Sequence, residues 1–169
     1  VIPAVIARAG PQAGRRFLEF FTAEIRNPNT RQAYGRAVYR FLDWLEASGI
    51  PLARVEPVAV AAYVEWMGRE LTPPTVKQHL AAIRMLFDYL VTGQVVAHNP
   101  AAPVRGPKYV VKTGKTPVLN PEEARALIQA IDITRLPGLR DRALIGMMVY
   151  SFARVSAAVQ MRVKDYYHQ

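Results

Sequence analysis

Leu71–Gly93, LTPPTVKQHLAAIRMLFDYLVTG, reads as one long amphipathic helix with its own start and stop signals. Thr72 is placed to cap, Pro73 suits the first helical position, and Gly93 can take the left-handed conformation that closes a last turn. Val76, Leu80, Ile83, Phe87 and Leu90 recur at helical spacing and fall on one face. Lys77, Ala81 and Arg84 form a second stripe with Gln78 beside it. Two cations flanking an alanine suit either a solvated charged face or close approach of a polyanion. Either way, a helix with two separable faces predicts a mainly helical chain.

The flanking sequence supports this. Pro11 to Ile25 carries Phe17, Leu18, Phe21 and Ile25 on one side, and Asn27-Pro28-Asn29-Thr30 is turn chemistry in which Asn29 or Thr30 can cap the next helix. That helix, about Arg31 to Ala47, groups Tyr34, Ala37, Val38, Phe41, Leu42 and Leu45 on one face, with Trp44 at its margin. Gln32, Arg36, Arg40 and Asp43 lie opposite, with Arg31 on the flank and Ser48-Gly49 as the stop. Pro57 to Gly68 reads as a scaffold helix carrying Val60, Tyr63, Val64 and Met67. After Gly93, His98-Asn99-Pro100-Ala101-Ala102-Pro103 is a turn with room for one short helical piece.

Val104 to Val118 differs in composition. It holds Arg105, Lys108, Lys112 and Lys115 with no acid, and it has little periodicity. It is either a solvated tether or a strap for a phosphate backbone. Order resumes at Asn120-Pro121-Glu122-Glu123, a cap followed by a favoured first turn. Leu127, Ile128 and Ile131 give that helix its apolar face. A further helix from about Leu139 to Ser151 is expected to bury Leu144, Ile145, Met148 and Val149, and Arg162 to Gln169 alternates as the start of a strand. Arg154 is the single cation between Ala143 and Met161, so partial burial is expected, with its donors on backbone carbonyls or on an anion.

Composition narrows the function. Among 169 residues the net charge is +9, and residues 1–118 hold 15 Lys/Arg against 8 Asp/Glu. That excess points to nucleic acid first and an anionic membrane surface second. There is no cysteine, and His79, His98 and His168 show no ligand spacing, which excludes a thiolate or zinc-type site. No apolar run approaches the roughly 20 residues of a membrane span, and the first residues do not make a signal peptide, so a cytoplasmic protein is expected. The chain starts without Met and stops after Tyr166-Tyr167-His168-Gln169, which reads as a piece of a longer chain.

The order of motifs adds a family. Asn29-Thr30-Arg31-Gln32-Ala33-Tyr34, Leu71-Thr72-Pro73 before a basic helix, Asn99-Pro100-Ala101, the basic linker, Leu119-Asn120-Pro121-Glu122-Glu123, Arg140-Asp141-Arg142-Ala143-Leu144 and Ala153-Arg154-Val155-Ser156 together resemble the tyrosine recombinases (phage integrases) over nearly the whole chain. The resemblance implies a helical-bundle (SAM-like) core-binding domain at 11–103, a linker at 104–118, and at 119–169 the first helices of a mixed α/β catalytic domain, truncated. It implies duplex DNA as partner, a tetramer on DNA for the full-length protein, and strand exchange through a 3′-phosphotyrosyl link without metal or nucleotide cofactor. Arg154 sits where the family has the first catalytic arginine, a fork able to hold two phosphate oxygens. Arg31, Arg36, Lys77, Gln78, Arg84, Lys108 and Lys112 are the candidate DNA contacts.

The chain departs from the family pattern in two places. Phe152-Ala153 precedes the arginine where Gly and a bulkier residue are usual, and Ala157 stands where Glu is usual. The catalytic lysine, the His-x-x-Arg segment and the nucleophilic tyrosine lie downstream in the family, and Tyr166 and Tyr167 come too early to serve. The chain as given is therefore expected not to cleave DNA. The alternative reading is a non-catalytic DNA-binding regulator derived from an integrase.

Overall fold

Prolines open most of the helices. A proline has no amide to leave unsatisfied and its fixed φ suits the first helical position. The computed structural model describes residues 1–111, 114, 116 and 118–165. Its helices are α1 (Ala4–Arg8), α2 (Pro11–Glu19), α3 (Pro28–Ala47), α4 (Pro57–Gly68), α5 (Pro73–Thr92), α6 (Pro121–Gln129), α7 (Leu136–Ser151) and α8 (Val155–Gln160). Short 3₁₀ turns occupy Leu52–Arg54 and Val163–Asp165, and no strand occurs among the described residues. The chain divides into two units, Val1–Val111 and Lys112–Gln169.

In the first unit α5 is the central element. It packs against α2, α3 and α4, while α1 packs on α2 and α3. Phe41 of α3 meets Tyr63 of α4 edge-on at 5.0 Å between ring centroids and Phe87 of α5 at 6.1 Å. Phe20 reaches Tyr89 at 5.8 Å. The faces read from periodicity are the buried ones: Ala37, Val38, Phe41, Leu42 and Leu45 on α3, and Val76, Leu80, Ile83, Phe87 and Leu90 on α5. Helix α1 has no counterpart in the sequence reading, yet Val5 and Ile6 belong to the core. The Tyr39 hydroxyl donates to the Val1 carbonyl at 2.7 Å, and Arg8 pairs with Glu46, tying α1 to α3.

Several local expectations are corrected. Helix α3 starts at Pro28, and its cap is Asn27, whose side chain accepts from the amides of Asn29 and Thr30. The first long helix loosens into a π-helix at Phe20–Glu24 before Ile25. Gly93 is not left-handed (φ −80°); the positive φ falls on Gln94 (φ 56°). Gly93 instead answers a close approach, because a Cβ there would lie 2.8 Å from Nε of Arg16.

The second unit begins as read: Asn120 and Glu123 form a reciprocal capping box at the start of α6. The further helix also forms, as α7, opening three residues earlier at Leu136 with Pro137 in its first turn, but its burial and the strand after it are corrected. No residue of α7 is buried; Leu144, Ile145 and Met148 are half-buried and Val149 is exposed. Where the alternation after Arg162 suggested a strand, Val163–Asp165 forms a 3₁₀ turn, with the Arg162 amide donating to Asp165 Oδ2 at 2.9 Å. The rest of that expectation, 166–169, lies outside the described residues. Ala158 alone is buried in this unit among the described residues.

Candidate nucleic-acid interface

The first turn of α5 needs little capping because Pro73 and Pro74 remove two of the amides that a helix start leaves unpaired. The Val76 amide bonds the Thr72 carbonyl at 3.0 Å. Thr72 therefore holds the cap position without capping through its side chain; its hydroxyl meets that of Thr75 at 3.0 Å. Each residue advances about 100° around a helix. Lys77, Ala81 and Gln78 consequently share one exposed arc, opposite the buried Ile83 and Leu90. The small Ala81 lies between the cation and the amide, so a phosphate backbone can approach the helix closely.

Arg84, on the edge of that arc, is half-buried. Its Nε donates to the Ala101 carbonyl at 3.0 Å and its Nη2 to the Val104 carbonyl. Asn99 completes the arrangement. Its Nδ2 donates to the Arg84 carbonyl at 3.0 Å and to Asp88 Oδ1 at 2.7 Å, while its Oδ1 accepts from the Ala101 amide at 2.9 Å. The chain after α5 thus runs back along the helix, from Asn99 beside Asp88 to Gly106 beside Lys77. A Cβ on Gly106 would lie 3.3 Å from Cγ of Lys77. Arg105 and Lys108 are both exposed at this end of α5. Sequence spacing could not reveal that Arg105 returns to Lys77, because the approach depends on how the Asn99 turn folds.

Helix α3 contributes a second basic edge. Arg36 is exposed and makes no hydrogen bond or ion pair among the described residues. Arg31 is half-buried, with Nε and Nη2 both on the Ile25 carbonyl at 3.0 and 2.8 Å. Arg40 pairs with Glu70 and lies 4.8 Å over the Trp66 ring. Of the predicted contacts, then, Lys77, Gln78, Arg36 and Lys108 present exposed side chains, whereas Arg31 and Arg84 hold backbone carbonyls. Lys112 lies outside the described residues.

Burial and the neighbouring Arg40 charge both hold the His79 imidazole below its usual pKa, and its Nδ1 is buried without a hydrogen-bond partner among the described residues. A histidine whose pKa is lowered on folding binds more protons when unfolded, so its contribution is present above about pH 6.5 and is lost as pH falls below it. Substituting His79→Asn is expected to reduce the loss in melting temperature between pH 7 and pH 5. Thermal denaturation at several pH values checks this, and an unchanged pH dependence would count against it.

In the second unit Arg154 is the N-cap residue of α8. Contrary to the partial burial expected from its apolar neighbours it is exposed, because those neighbours also face outward, and its side chain makes no hydrogen bond or ion pair among the described residues. Its neighbours face outward: Phe152 is 93% exposed and Val155 58%. Beside it, Ala143, Met147, Ser151, Ala153, Ala157 and Met161 line an apolar groove of about 590 Å³ between α7 and α8. The guanidinium is thus open to an anion rather than committed to carbonyls, a disposition suited to binding phosphate oxygens.

No helix among the described residues is long and apolar enough to cross a membrane. Residues 15–94, from within α2 to just past α5, match the family model described as phage integrase, N-terminal SAM-like domain. The chain is 27% identical over 159 residues to the tyrosine recombinase XerD of Listeria innocua, covering 90% of this chain and 52% of the relative. It is 28% identical over 170 residues to the tyrosine recombinase XerC of Xanthomonas campestris pv. campestris, covering 96% and 52%. The tyrosine recombinase XerD of Vibrio cholerae is 28% identical over 138 residues, covering 81% and 45%. The chain spans about half the length of these relatives. The match to the SAM-like helical domain, and relatives that align across both units, make this chain similar to the tyrosine recombinases (phage integrases).

Proposed function

We propose that this chain is the DNA-gripping part of a site-specific recombinase that breaks and rejoins strands through a 3′-phosphotyrosyl intermediate. Residues 11–103 serve as the core-binding domain, 104–118 as the basic linker, and 119–169 as the start of the catalytic domain. The whole protein acts on duplex DNA as a homotetramer in the cytoplasm. Arg154 takes the role of an arginine that holds the scissile phosphate and stabilises the charge developing on its oxygens.

The exposed arc of α5 carries this reading. Lys77 and Gln78 flank Ala81 there, next to a following segment whose cations have no acid among them. Lys77, Arg36, Arg105 and Lys108 contact phosphates and set register, while Gln78 has the donor and acceptor needed to reach a base edge.

Removing one phosphate-binding cation lowers the slope of log affinity against log salt by about 0.9. The double substitution Arg36→Ala, Lys77→Ala is therefore expected to lower that slope by roughly 2 and to weaken binding of unrelated duplexes alike. Titration of labelled duplexes at several salt concentrations measures it. A slope equal to that of the wild type would remove the DNA-facing assignment.

A further inference from the structure

The sequence pattern groups Arg84 with Lys77 as one cationic stripe, but the structure gives the two residues different work. The Arg84 guanidinium holds the carbonyls of Ala101 and Val104, two acceptors three residues apart on the returning chain. Asn99 locks the same turn by bridging the Arg84 carbonyl and the Asp88 carboxylate. The result is a clasp that lays the chain after α5 back along the helix. It ends where Gly106 passes the Lys77 stem closely enough that a Cβ would crowd it at 3.3 Å, with the Leu80 side chain at ordinary contact distance, 3.6 Å. Arg105 precedes that approach by one residue, and Lys108 follows it by two.

We propose that Arg84 is a positioning residue for the DNA surface: its fork fixes the returning segment so that Arg105 and Lys108 add to Lys77 in one basic patch. This rests on the DNA-binding reading above and deepens it. A phosphate reaching Arg84 would have to displace two carbonyls that the guanidinium already holds. Lys77, Arg105 and Lys108 are exposed and hold no hydrogen-bond partner among the described residues, so a phosphate meets them without that cost. The segment after α5 is then part of the binding surface rather than a loose tether. The geometry also explains the residue type: a guanidinium presents two donors in a fixed plane to two acceptors, which a single ammonium cannot do.

That difference gives the test. Arg84→Lys keeps the charge and loses the fork; Asn99→Ala loses the clasp from its other side and removes no charge at all. In both variants trypsin is expected to cut after Arg105 and Lys108 about tenfold faster than in the wild type, the segment having lost its local protection. Duplex affinity at moderate salt is expected to fall about five- to tenfold, the scale of one or two phosphate contacts. Circular dichroism confirms that each variant keeps its helices.

If Arg84→Lys binds DNA like the wild type while Arg84→Ala does not, Arg84 acts through its charge and the proposal is overturned. Unaccelerated cleavage overturns it as well, and so does accelerated cleavage with unchanged affinity. A wild-type chain that binds no duplex sinks the DNA-binding reading and the positioning role with it, while the cleavage rates still show whether the clasp exists.

Discussion

Replacing Phe41 by alanine is expected to cost the first unit about 4 kcal/mol of stability, within the range seen for buried Phe→Ala changes. Phe41 is completely buried, and its ring meets Tyr63 of α4 and Phe87 of α5, so one side chain joins three helices. A void at that point cannot be closed by moving one neighbour, because each helix is held by the other two. The two edge-on aromatic pairs add to the cost. Domains of this size have only about 5–15 kcal/mol in hand, so the variant should unfold at a urea concentration lower by roughly 2 M, given a denaturant slope of about 2 kcal/mol per molar. Phe41→Leu keeps most of the volume and should lose less than half as much. Urea unfolding followed by circular dichroism decides it, and a Phe41→Ala cost below about 1 kcal/mol would show that the three-helix junction is not the centre of this core.

The helical stripes of α3 and α5 are legible in the sequence because burial in a helix bundle follows the 3.6-residue repeat. The same rule misjudges α7. Leu144, Ile145, Met148 and Val149 repeat like a core face, but periodicity says which side of a helix requires cover and nothing about what supplies it. Helix α1 escapes for a related reason: five residues are too few to show a period, and Val5 and Ile6 gain their place only through long-range packing. At the candidate site, exposure of Lys77, Gln78 and Arg36 follows from their positions opposite the apolar stripes. The engagement of Arg31 and Arg84 does not, since a half-buried arginine can serve a phosphate or a carbonyl, and only the path of the neighbouring chain decides between them. The Ile25 carbonyl at the end of a π-helix and the Ala101 and Val104 carbonyls in a turn are acceptors that no motif announces. At Arg154 the sequence leaves the same choice open, and there the side chain is exposed and no carbonyl among the described residues takes the guanidinium.

The uneven burial of the two units leads to the other large effect. In the second unit Tyr150 is 84% exposed and Phe152 93%, and Phe152 also carries a left-handed backbone (φ 54°) that a bulky side chain adopts only under strain. An isolated helix of the length of α7 is marginal in water, and most helical stability comes from burying an apolar face. Helix α7 has no buried residue, so local opening near its end should cost little free energy, whereas Phe41, Tyr63 and Phe87 become accessible only when the whole first unit unfolds. A difference of about 3 kcal/mol in opening free energy corresponds to more than a hundredfold in cleavage rate when reclosing is fast. Chymotrypsin is therefore expected to cut after Tyr150 and Phe152 at least about a hundredfold faster than after Phe41 or Tyr63. The resistant product, containing residues 1–111, should unfold at the same urea concentration as the first unit does in the uncut chain. Mass spectrometry of timed digests gives both the sites and the rates. Equal resistance of the two units would mean that the outward-facing side chains of α7 and α8 are covered in solution, and the marginal stability assigned to the second unit would have to be abandoned.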